Sequence, residues 1–163
     1  MSSYKIEVVG DENVGKSSLI QVMCGNVFPD NLYTIFDDYS RQVTVHDQHI
    51  ELVFWDTAGQ QEYDRLRTLS YPHSDLVIIC FALNDESSQL SVLAKYLPEV
   101  KAYLPDTPII LVGTKTDLSE KQIFQLDVQQ INVSSLMNFN VQLLLSKISE
   151  TVVFKPQKKR CTK

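Results

Sequence analysis

Eight consecutive residues, Gly10-Asp11-Glu12-Asn13-Val14-Gly15-Lys16-Ser17, constrain this chain more than any other stretch. They fit the pattern G-x-x-x-x-G-K-[ST] without a gap. Tyr4-Lys5-Ile6-Glu7-Val8-Val9 ahead of them reads as a short strand, and Ser18-Leu19-Ile20-Gln21-Val22-Met23 behind them continues as a helix. That strand–loop–helix context is the one in which the pattern carries meaning. Glycines let the backbone wrap a phosphate, and a helix start offers unpaired N–H groups and a positive dipole end. Lys16 is then expected to reach the outer phosphates and the Ser17 hydroxyl to ligate magnesium. A chance match in a glycine-containing turn is the competing reading, and the flanking elements speak against it. The stretch implies a ligand carrying a di- or triphosphate.

The rest of the composition narrows the class. A chain of 163 residues is expected to form one domain with a core of its own. With 21% charged and 44% hydrophobic residues, it has the balance of a soluble globular chain. It contains no apolar run of the ~18 residues needed to cross a bilayer, and Met1 to Lys5 lacks a signal-peptide profile. Cys24, Cys80 and Cys161 lie far apart without metal spacing, which suits a reducing, cytoplasmic compartment. Charge is unevenly spread. Residues 155–163 hold five Lys/Arg and no acid, so a body of net −10 carries a tail of +5. Residues 1–154 are therefore expected to be the folded domain, and 155–163 a basic, disordered tail. Nucleic acid is not expected as a partner.

In chain order, Gly25 to Tyr39 is polar and irregular and reads as a loop. Arg41 to His46 and His49 to Trp55 alternate as two strands around Asp47-Gln48. The second ends in Trp55-Asp56-Thr57-Ala58-Gly59-Gln60, where an acid at a strand end and a following glycine suit a magnesium site and a γ-phosphate sensor. Glu62 to Leu69 looks helical. Leu76 to Leu83 is a continuous apolar run, as in a strand covered on both faces. Glu86 to Leu104 reads as a helix that Pro98 should kink or displace. Ile109 to Gly113 is another buried strand and delivers Thr114-Lys115-Thr116-Asp117. Val141, Leu144, Leu145, Ile148 and Val152 form one face of a last helix. Strands alternating with helices imply an α/β fold with a mostly parallel sheet wrapped by helices. Ligands sit at the carboxyl ends of such strands, where the phosphate loop, Asp56 and Thr114–Asp117 all fall.

Taken together, these residues resemble the small GTPases, specifically the Rho/Rac branch of the Ras superfamily. Asp56-Thr57-Ala58-Gly59-Gln60 is the general signature. Glu62-Tyr63-Asp64-Arg65-Leu66-Arg67, Leu69-Ser70-Tyr71-Pro72, Phe36-Asp37-Asp38-Tyr39 after Thr34, and Thr107 to Lys115 are Rho-like. The resemblance implies a P-loop G domain that binds GTP or GDP with Mg2+. It puts Glu12, Asn13, Val14, Gly15, Lys16, Ser17 and Ser18 around the phosphates, and Thr114, Lys115 and Asp117 at the guanine. Asp117 would accept from the base N1–H and N2 amine, a pair adenine cannot supply. Ser134, Ser135 and Leu136 would be the last nucleotide loop. Phe28 would lie against the base edge or else anchor its loop in the core. Thr34 would complete magnesium coordination with GTP bound, Asp56 would hold the ion through water, Gly59 would donate its N–H to the γ-phosphate, and Gln60 would orient the attacking water. Effector, exchange and activating proteins would read residues 26–39 and 59–71. Tyr63 to Arg67 is either part of that surface or a solvated helix face.

Four departures from the family pattern stand out. Glu12 occupies a glycine position facing the γ-phosphate and the entry of an activator's arginine finger, and Asn13 follows where a small residue is usual, so slow hydrolysis is expected unless Glu12 swings into solvent. Residues 28–34 are one shorter than the Rho pattern, with Tyr33 where a proline is usual. The sixteen residues between Asp117 and Ser134 are too few for the Rho insert helix, and for a full fourth helix as well, which would bare part of the sheet's flank. Lys158-Lys159-Arg160-Cys161-Thr162-Lys163 resembles a Rho-type basic tail with two residues after the cysteine, one short of a prenylation box. Weak contact with anionic membrane on the inner face, or a solvated tail, is expected of it.

Two functions follow: a cycling Rho-type signalling switch hydrolysing GTP, or a GTP-locked module that recruits effectors without cycling. A P-loop ATPase or kinase is disfavoured by Asp117.

Overall fold

The computed structural model describes residues 1–26, 28 and 36–155, with residues 36–38 described by their backbone alone. Among them a six-stranded sheet runs in the order β2-β3-β1-β4-β5-β6. The strands are β1 (Ser2–Val9), β2 (Phe36–Val45), β3 (Gln48–Thr57), β4 (Leu76–Ala82), β5 (Ile109–Thr114) and β6 (Gln130–Asn132). Only the β2–β3 pair is antiparallel among these neighbours. The expected mostly parallel sheet is present, and its central strand β1 carries the phosphate loop at its carboxyl end.

Strand periodicity explains the two cores. Ile6 and Val8 of β1, with Leu52 and Phe54 of β3, face helices α1 (Lys16–Met23) and α5 (Val141–Phe154), burying Leu19, Ile20, Leu144 and Ile148. Val9, Val77, Ile79 and Phe81 face the other way, onto Tyr71 behind α2 (Asp64–Ser70) and onto Val92, Tyr96 and Val100. Every residue of β4 is buried, which is why that run shows no alternation.

Three boundaries differ from the sequence reading. Phe36 to Tyr39 belongs to β2 and not to the preceding loop, because Phe36 to Tyr39 pair with Thr57 to Phe54. The hairpin turns at His46-Asp47, both at positive φ (47° and 64°), as a two-residue turn matched to strand twist requires. The Glu86–Leu104 helix is three pieces: α3 (Glu86–Ser91), a π turn (Val92–Tyr96) and α4 (Leu97–Tyr103). Pro98 lacks an N–H and its ring collides with the carbonyl four residues back in a regular helix. An inserted residue just ahead of it relieves that collision.

No regular element forms between Leu118 and Gln129. No helix stands between Asp117 and Ser134, yet the flank is covered. Phe124, Leu126 and Val128 lie against the second core, with the Phe124 ring 5.2 Å from Phe81 and tilted at 62°. Buried Gln89 holds the segment from below: its Nε2 donates to Lys121 O at 3.0 Å, and its Oε1 accepts from Ile123 N at 2.9 Å. Gln122 and Gln130 exchange amide bonds at 2.8 and 2.7 Å.

Candidate functional site

The carboxyl ends of β1, β3 and β5 open onto a cavity of about 540 Å³, within the usual range for small-molecule sites. Of the residues expected in the site, Glu12 to Ser18, Phe28, Gly59, Gln60, Thr114, Lys115, Asp117, Ser135 and Leu136 line it. Thr57, Ala58 and Leu118 complete the wall. Leu118 went unread; standing directly after Asp117, 63% exposed, was its available signal. Phe28 is 41% exposed at the cavity and is not a core anchor. Thr34 and Tyr33, with most of residues 26–39, lie outside the described residues, as does the tail from residue 156 with Cys161.

The loop itself is tightly constrained. Gly10 has φ 148° and passes so close to β4 that a Cβ there would stand 2.4 Å from Cys80 O. Lys16 is the first residue of α1 and is buried, with its ammonium donating to Gly10 O at 2.9 Å and Asp11 O at 2.7 Å. Burial pushes its pKa below the ordinary lysine value, while the neighbouring acidic groups Cys80, Asp56 and Asp11 oppose that shift. A phosphate arriving at the loop would supply the counter-charge that burial makes scarce.

Two elements meet beside the lysine. The Ser17 hydroxyl, in the first turn of α1, donates to Asp56 Oδ2 near the end of β3. Asp56 is fully buried and pairs in register with Val8. This hard-oxygen pair fits magnesium, which binds through one or two protein oxygens with phosphates and water filling the octahedron. Among the described residues no cluster of three His, Cys, Asp or Glu could hold a metal ion.

The Thr114–Asp117 turn does structural work the sequence reading did not assign. Thr114 Oγ1 donates to Val14 O at 2.5 Å and Phe81 O at 3.1 Å. Lys115, at φ 61°, stretches over the loop and donates to Asn13 O at 2.6 Å. Ser134 is buried behind the cavity wall and does not line it; its hydroxyl donates to Asp117 Oδ1 at 2.7 Å and accepts from Met137 N at 3.1 Å. Ser134 thus orients the carboxylate.

Gly59 packs flat on the phosphate loop, where a Cβ would come within 2.3 Å of Glu12 N. Glu12 is exposed, and both it and Gln60 line the cavity. In α2, Arg65, Leu66 and Leu69 are exposed, whereas Arg67 is fully buried. The Tyr63–Arg67 stretch is therefore not uniformly a surface.

A family model described as the Ras family matches residues 5–152. The chain belongs to the Ras family. Like other Ras-family chains it has the P-loop GTPase α/β fold. Its relatives include the Rho-related protein racE of Dictyostelium discoideum, 48% identical over 119 residues, which covers 72% of this chain and 53% of that protein. GTP-binding protein rho4 of Schizosaccharomyces pombe is 45% identical over 120 residues, covering 72% of this chain and 59% of that protein. The matches thus span between a half and three fifths of these curated relatives. They agree with the Rho-like motifs of the sequence. No helix among the described residues is long and apolar enough to cross a membrane.

Proposed function

We propose that this chain binds GTP and GDP with Mg2+ in the cavity and works as a Rho-like signalling switch whose hydrolysis is slow. One observation carries the reading: the Ser17 hydroxyl and the Asp56 carboxylate meet under the phosphate loop at one side of a cavity whose wall also carries Asp117. Magnesium, when bound, would neutralise phosphate charge. Lys16 would exchange its two carbonyl partners for phosphate oxygens. Asp117, held by Ser134, would accept from the guanine edge while Thr114 and Lys115 keep the loop in place and Ser135 and Leu136 close over the base. Thr34 and the Gly59 N–H would sense the γ-phosphate, and ordering of their loops would be what effectors, exchange factors and activators read. Gln60 would orient water. Glu12 would crowd that water and the space of an activator's arginine, a contribution worth about 10³–10⁵ in rate.

The setting would be cytoskeletal and membrane signalling from the cytoplasm, with the basic tail adding weak contact to anionic lipid. Glu12 in the cavity lining also favours a second reading, a module that stays GTP-loaded and does not cycle. Nucleotide extracted from freshly purified protein separates the two. Mostly GDP supports the slow switch and mostly GTP the locked module; no guanine nucleotide, with none taken up on incubation, overturns both.

A further inference from the structure

Asp11 is the phosphate-loop residue whose side chain turns away from the cavity. It lines no part of the cavity, and its carboxylate takes two hydroxyls from the neighbouring helix. Ser91 Oγ donates to Oδ2 at 2.5 Å and Tyr96 Oη donates to Oδ1 at 3.0 Å. Both donors come from one stretch of chain, at positions i and i+5. In a regular α-helix residues five apart stand about 140° from one another around the axis, too far for both to reach one carboxylate. The i→i+5 winding of a π turn brings them toward a common face, and Val92–Tyr96 is such a turn. The inserted residue that accommodates Pro98 thus also produces a two-pronged grip on the loop.

The grip is well supported. Tyr96 is fully buried in the second core, and burial, followed by the charge of Asp11, pushes its hydroxyl pKa well above the tyrosine norm, so it remains a donor. Its ring is held by the Arg67 guanidinium, 5.0 Å from the centroid, and by the Lys95 ammonium at 5.2 Å. Asp11 immediately precedes Glu12, whose N–H abuts Gly59.

We infer that Ser91 and Tyr96 are positioning residues that set the posture of the phosphate loop through Asp11, and that the π turn exists in a form that allows both to do so. The consequence for nucleotide retention rests on the reading of the cavity given above; the consequence for the loop does not. Ser91 and Tyr96 line no part of the cavity, so their effect must pass through the loop backbone.

Hydrogen exchange of the full chain, with bound nucleotide removed, tests the clamp directly. In Tyr96→Phe, Ser91→Ala and the double variant, the amides of residues 11–17 should exchange faster, by about tenfold for the loss of either bond and about a hundredfold in the double variant, because bonds to a charged acceptor are among the stronger ones. Amides of β4 and α5 should be unchanged. Ser91→Thr, which restores the hydroxyl, should recover the protection lost in Ser91→Ala. Phe keeps the buried ring, and Ser91→Ala alone provides a mild variant should the double variant fold poorly. Release of fluorescent GDP should accelerate in parallel with loop exchange. Unchanged loop exchange, or equal acceleration across the whole chain, overturns the clamp. A chain that holds no GDP at all overturns the reading of the cavity instead, because loop exchange decides the clamp without nucleotide.

Discussion

The buried guanidinium of Arg67 meets the Glu99 carboxylate in two parallel hydrogen bonds, Nε to Oε2 at 3.1 Å and Nη2 to Oε1 at 2.9 Å. Tyr71 Oη donates to the same Oε2 at 2.6 Å, and Arg67 Nη1 reaches Asp64 at 2.7 Å. Helix α2 is thereby pinned at its carboxyl end to α4, while its exposed Leu66 and Leu69 remain available on the outside.

Removing one partner of such a pair leaves a buried charge without its principal counter-ion. Glu99→Ala should cost about 3 kcal/mol, with the melting temperature lowered by several degrees. Glu99→Gln, which keeps acceptor oxygen and shape, should cost less. A melting temperature for Glu99→Ala within a degree of the unaltered chain would show that Asp64 suffices.

Glu7 introduces a pH dependence. It lies fully buried in β1, accepts from Ser70 Oγ, faces Ser74 Oγ at 3.5 Å and has Lys5 Nζ at 3.6 Å. Burial pushes its pKa up to about 7, with Ser70 and Lys5 opposing. The folded chain therefore holds this proton more tightly than the unfolded one. The associated stability is fully present below about 4.5, the unfolded value, and is lost as pH rises to about 7, a loss of about 3 kcal/mol. Glu7→Gln should show none of this slope and gain relative stability as pH rises. Urea unfolding of both chains at intervals from pH 5 to 8 measures it. A stability difference that stays constant with pH would rule the effect out.

Guanine selectivity should follow Asp117. Asp117→Asn replaces the acceptor pair and should weaken GTP binding roughly a hundredfold, while raising the affinity for xanthine nucleotide. Because Ser134 donates to Asp117 Oδ1, Ser134→Ala should reproduce part of the GTP loss without the gain for xanthine. Equal competition by ATP and GTP against the unaltered chain would remove the guanine assignment altogether.

Glu12→Gly should raise single-turnover hydrolysis of preloaded GTP and, more strongly, its response to a Rho-type activating protein. Gln60→Leu in the same background should abolish the gain, because the restored route needs an oriented water. A full response of the unaltered chain to the activator would mean that Glu12 obstructs nothing.

Much of the site was legible because its chemistry is local. Gly10 to Ser17, the Asp56–Gln60 run and Thr114–Asp117 each carry their meaning within a few residues, and each sits at a strand end that hydrophobic runs reveal. What escaped depended on contacts between distant segments. Arg67 reads as a surface charge until Glu99 is seen beneath it. Glu7 interrupts an apolar strand with no local sign of the hydroxyls awaiting it. The Asp11 grip needs the phase of a helix that Pro98 shifts by one residue, and propensity does not encode that phase. Ile123 to Val133 mixed two periodicities because most of it is neither helix nor strand: Phe124, Leu126 and Val128 alternate along a chain lying flat on the core.

That flat segment changes the entropy of the fold as well as its surface. Asp117 and Ser134 must be brought together for the carboxylate to be oriented, and only sixteen residues lie between them. Closing a loop costs more the longer it is, by about 0.6 kcal/mol for each doubling, so a short connection lowers the cost of assembling this end of the cavity. A domain that has given up a helix has surrendered some buried surface there, and the same shortening returns part of the loss by leaving the unfolded chain fewer ways to keep Asp117 and Ser134 apart.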